Sequence, residues 1–91
     1  MSEEPIYKKV VYWVENYGKA GIPDDRAVQE FMICETHETV SSLRSEIIAI
    51  ADGKFKNETL DVLVGVKRRI KHGSYDAWAK MMLLWLVSYK G

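Results

Sequence analysis

The chain has 91 residues and a mass of 10.5 kDa, is 47% hydrophobic, and carries one cysteine and two prolines; that supports one compact domain over residues 1–91 and excludes a catalytic barrel or a two-domain enzyme. A charged fraction of 29% beside this much apolar side chain also excludes disorder of the whole chain. The balance of 13 basic against 13 acidic groups conceals a split, since residues 1–52 hold five basic and ten acidic groups, net −5, and residues 53–91 hold eight and three, net +5.

Such a split fits two halves that pack on each other, two copies paired with opposite halves facing, or one half meeting an anionic ligand. Cys34 has no partner for an internal disulfide and no charged-then-apolar leader opens the chain, so the cytoplasm is the expected location. The longest apolar run, residues 81–87, is far short of the roughly 20 residues that span a bilayer, and no membrane segment is expected.

Taken in chain order, Pro5 suits a first helical turn, and Ile6, Val10, Trp13, Val14 and Tyr17 follow on one stripe, with Gly18 closing the helix. Pro23, Asp24 and Asp25 start a second helix, because proline fits its first turn and carboxylates favour the positive end of the dipole. Val28, Met32, Thr36, Thr39, Leu43, Ile47 and Ile50 keep a three-and-four rhythm that favours one long helix over 24–51, with a break near 36–42 as the alternative.

Asp52 and Gly53 end that segment, and Phe55 reads as an anchor from the turn back to the core. Asn57 reads as an N-cap, with Leu60, Leu63, Val64, Lys67 and Ile70 on one face of a third helix. A strand competes for this stretch, because Leu60, Val62, Val64 and Val66 alternate and Gly65 weakens a helix by about 1 kcal/mol. Helix is preferred, since a lone strand has no partner elsewhere in the chain. Gly73 stops this helix and Ser74 caps the last one, over 75–89, where Trp78, Met81, Met82, Trp85 and Tyr89 line one face and other apolar residues cover much of the rest. A helix apolar nearly all round must be buried nearly all round. The expected fold is therefore all-α: four helices in a bundle or orthogonal array, with the C-terminal helix central and mostly buried. The first and last helices carry the three tryptophans and all the tyrosines, which predicts that they pack together.

The most enzyme-like cluster is Glu30, Cys34 and His37, with Glu35 and Glu38 beside them. On one continuous helix the first three share a face toward which a metal could bind. A zinc site needs four ligands, usually in short pairs, and only His72 remains as another imidazole, so no metal is assigned. The favoured reading has Cys34 as a small buried residue and His37 as part of a solvated surface. Nucleophilic catalysis by Cys34 and His37 lacks a third orienting group and a pocket, while Gly18, Lys19 and Gly21 lack the spacing of a phosphate loop. No enzyme activity and no cofactor are expected.

The basic segment Lys67, Arg68, Arg69 and Lys71, with Lys54 and Lys56 before it, is the candidate anion or nucleic-acid surface. Nucleic acid is disfavoured, because the helix that follows offers only Lys80 to read bases. The expected function is a small cytoplasmic interaction or regulatory domain acting as a homo-oligomer through Trp78, Met82, Trp85 and Tyr89, with a protein partner the other option. The alternative is a nucleic-acid-binding accessory domain.

Overall fold

A computed structural model describes residues 7–19 and 21–88 of the chain. The expectations for Pro5, Ile6 and Tyr89 lie outside the described residues. The helices are α1 (Lys8–Asn16), α2 (Asp24–Cys34), α3 (His37–Ala51), α4 (Asn57–Leu60), α5 (Val66–His72) and α6 (Tyr75–Ser88), with a π-helical turn, Asp61–Gly65, between α4 and α5. Among the described residues there is no strand. The architecture is all-α as expected, with five helices rather than four once 57–72 is counted as one interrupted helix.

The fifth helix appears because 24–51 is two helices. Glu35 and Thr36 are extended, with ψ of 161° and 160°, and the Thr36 Oγ1 accepts the Thr39 N–H at 3.2 Å as the N-cap of α3. A capping threonine satisfies one of the amides that the first helical turn leaves without an intrahelical partner, which the continuous apolar rhythm does not register. Glu35 is held in the gap by two hydroxyls, from Tyr17 at 2.5 Å and Tyr12 at 2.7 Å. These bonds hold its carboxyl below the ordinary 4.5, the Tyr17 bond first, and the same bond pushes the Tyr17 phenol far up.

Helix α6 is the central element, with α3, α2 and α5 against it. Its Tyr75, Trp78, Ala79, Met82 and Leu86 are buried with Leu43, Ile47 and Ile50 of α3 and Ala27, Val28 and Phe31 of α2. Large apolar side chains such as these contribute about 1.5–3 kcal/mol each on burial. Phe55 meets Tyr75 edge-on at 5.9 Å, so the turn is anchored as expected. Ser74 caps α6 through the Ala77 N–H at 3.2 Å. Asn57 is the first helical residue rather than the N-cap, a position that Lys56 takes.

Helix α1 packs mainly on α3 and the π turn rather than along α6, although Trp13 does reach Trp78, with ring centroids 6.2 Å apart. Its position is fixed by Glu46, whose carboxylate accepts the N–H groups of Lys9 and Val10 at 3.0 Å each. A carboxylate at the amides of a helix start is stabilised by those bonds and by the dipole. Burial nonetheless pushes the Glu46 carboxyl up, the larger of the opposed effects.

Candidate functional site

The site lies where the connector after α1 meets the interruption between α4 and α5. Gly65 takes φ 110° and ψ 133°, a conformation closed to side chains with a Cβ, and the chain turns sharply there. The π turn adds a residue to its helical cycle just before that turn. Together they put α5 out of phase with α4. Val64 stays in the core as the sequence pattern requires, but Ile70 is 74% exposed and α5 has no buried residue. The expected continuous face from Leu60 to Ile70 is thus lost, and Arg68 takes the inward position instead.

Every nitrogen of the Arg68 guanidinium donates a bond. Nε and Nη2 hold the two oxygens of Asp24 at 2.8 Å each, Nη2 also reaches the Gly18 carbonyl at 2.8 Å, and Nη1 reaches the Val64 carbonyl at 2.8 Å. The guanidinium carbon lies 5.3 Å from the centre of the Trp13 ring. Asp24 receives a further bond from the Trp78 indole N–H at 3.0 Å. The side chains of Arg68 and Asp24 are 17% and 11% exposed, so the pair is shielded and its fork geometry counts for more than a surface bridge. Gly18 leaves room for this packing, since a Cβ there falls 2.8 Å from Trp13 and 3.0 Å from Arg68. Its role is space at the end of α1, and its φ is not among the positive ones.

This network corrects the reading of the basic segment. Arg68 is committed to holding Gly18, Asp24 and Val64 in place and is unavailable to phosphate. Arg69 pairs with Asp61 at 3.4 Å, and Asp61 also accepts the Tyr75 hydroxyl at 2.5 Å. Burial, then that bond, pushes the Tyr75 phenol far up. Lys67 and Lys71 remain at the surface and line an open groove of about 630 Å³, together with Lys19, Val14, Ile22, Val64, Gly65 and Val66. Lys54 and Lys56 do not line it. The Nε2 of His72, at the end of α5, is buried with no hydrogen-bond partner, and burial holds its imidazole below the ordinary 6.5.

The oligomer face needs the same revision. Trp78 and Met82 are wholly buried in the chain's own core, and Trp85 is half-buried against it. The large apolar residues that α6 leaves outside are Met81, Leu84 and Val87, at 37%, 59% and 57% exposure. The helix carries more apolar surface than its neighbours cover, which is what the sequence implied, but the uncovered residues are the other ones.

The Glu30, Cys34 and His37 cluster is separated by the helix break. Cys34 ends α2 and is exposed rather than buried, His37 begins α3, and Glu30 faces Arg26 at 3.6 Å. Among the described residues no group of three or more His, Cys, Asp or Glu is placed to hold a metal ion. No helix among them is long and apolar enough to cross a membrane.

Asp24, Gly18 and Gly65 escaped the sequence reading as parts of a site. Asp24 already had a sufficient explanation at a helix start. The signal for Gly65 was present in the alternating Leu60, Val62, Val64 and Val66, whose conflict with a helix marks the interruption. Compared with known proteins, the chain matches no family model, no curated protein and no solved structure.

Proposed function

We propose that the chain is a cytoplasmic, non-catalytic interaction domain that acts as a homo-oligomer, its copies meeting along Met81, Leu84 and Val87 of α6. The observation that carries this reading is the exposure of Leu84 and Val87, 59% and 57%, on the most apolar helix of the chain. Positions three apart fall on one side of a helix, so the three residues form a single stripe. A stripe pairs with its own copy about a two-fold axis without needing a second complementary surface. The half-buried Trp85, four residues after Met81 and so one turn from it, adds aromatic area at the edge of the stripe. The free, exposed Cys34 accords with a reducing compartment.

Sedimentation velocity across a concentration series tests the assignment. The wild-type chain is expected to associate at micromolar concentration, and Leu84→Glu combined with Val87→Glu to sediment as a monomer with unchanged helical circular dichroism. A wild-type chain that stays monomeric at the highest attainable concentration overturns the proposal.

A further inference from the structure

We propose that the groove beside Gly65 is a binding site for a phosphate monoester with a compact apolar body. Its volume of about 630 Å³ lies in the range of small-molecule sites. Two of its lining residues, Gly21 and Gly65, have φ of 89° and 110°, and a Cβ built on either meets nothing within 4 Å. The backbone at both points therefore faces open space, where a ligand can approach it closely.

The charge of the groove selects the ligand's head. Lys19, Lys67 and Lys71 line it, and none of them forms an ion pair with a described residue. The lining acid, Asp24, is already bound by Arg68 and the Trp78 indole. Three uncompensated cations answer a phosphate monoester, which carries roughly −1.5 to −2 charges at neutral pH, better than a single carboxylate.

The rest of the lining selects the body. Ile22 and Val66 stay exposed, at 37% and 41%, beside those lysines, and apolar surface next to cations suits an amphiphilic anion. A nucleic-acid backbone would leave that apolar surface wet. The walls are set before any ligand arrives, because Arg68 ties the Gly18 carbonyl, Asp24 and the Val64 carbonyl together, and a preformed site loses little to ordering.

The test is a titration of the full ¹⁵N-labelled chain with phenyl phosphate at low salt, following the amides of Gly21, Gly65 and Lys67. Parallel arms use inorganic phosphate, benzoate and a short duplex DNA. Phenyl phosphate is expected to move these amides and to bind about tenfold or more tightly than inorganic phosphate or benzoate, as a second contact type adds to the first. Lys67→Gln and Lys71→Gln are each expected to weaken it about tenfold, the scale of one hydrogen bond to a charged group, with the urea midpoint unchanged. Leu84→Glu is expected to leave the affinity as it is, which separates this site from the association along α6. Absence of shifts at millimolar phenyl phosphate overturns the proposal. So does equal affinity for inorganic phosphate, or DNA binding with steep salt dependence where phenyl phosphate fails.

Discussion

The chain interrupts its helices at two places where the apolar pattern runs on, and the two interruptions are built differently. At Glu35 and Thr36 the backbone break is made locally, by an extended dipeptide, a threonine cap on the amide three residues later, and an acid, Glu38, in the first turn, and the Tyr12 and Tyr17 hydroxyls on Glu35 are added from further back in the chain. At Gly65 the parts come from across the molecule. A positive φ and a π turn deliver Arg68 to a carboxylate 44 residues earlier in the chain and to a carbonyl 50 residues earlier. The first interruption redirects a helix. The second builds a wall, and that wall is one side of the groove. A threonine cap depends on its own few residues, whereas a break held by a shielded, forked ion pair depends on the fold around it.

That contrast is broken most directly at Arg68. Arg68→Ala leaves Asp24 shielded and without its cation, and the expected cost is about 3 kcal/mol in urea unfolding, at the low end for buried pairs because both side chains keep some exposure. Arg68→Lys is expected to recover only part of it, since an ammonium cannot hold both carboxylate oxygens in a fork. A loss below about 1 kcal/mol, the range of a surface bridge, would mean that the interruption at Gly65 forms without the distant contacts.

Gly65→Ala comes next. Nothing obstructs the added methyl, so the whole effect is backbone strain at φ 110°, and a loss of about 2 kcal/mol is expected. Thr36→Ala removes the cap at the other interruption, with an expected loss of about 1 kcal/mol. Thermal unfolding of the two variants in one buffer ranks the interruptions, and a larger loss for Thr36→Ala reverses the comparison.

The smallest effect concerns Glu35 and pH. Its folded carboxyl titrates below the ordinary 4.5 because Tyr17 and Tyr12 donate to the charged form. The folded state therefore holds fewer protons than the unfolded chain in this range, and the contribution is complete well above 4.5 and lost as pH falls through that value and below it. Stability curves of the wild type and Glu35→Gln are expected to run parallel near neutrality and to converge on acidification. A gap that is constant into acid would assign the two hydroxyl bonds no preference for the carboxylate.

Much of the fold follows from local rules. Pro23 and Asp24 at a helix start and Gly73 and Ser74 between the last two helices act through near neighbours along the chain, and each is found where the pattern puts it. Less of the candidate site was legible. The positive charge of residues 67–71 is plain in the sequence, but periodicity carried past Gly65 gives the wrong phase, so it places Ile70 inside and Arg68 outside.

What the sequence by itself determined is the composition of each surface: an all-helical chain, a last helix with more apolar area than three neighbours can cover, and a basic half set against an acidic one. Tertiary structure decided which members of each set are used. It buried Trp78 and Met82 and left Leu84 and Val87 outside, and it drew Arg68 inward while leaving Lys67 and Lys71 on the groove. The physical reason is phase. Composition and spacing are properties of the chain, but the face a residue presents depends on every turn before it, and one residue inserted in a π turn followed by one left-handed glycine rotates all that comes after.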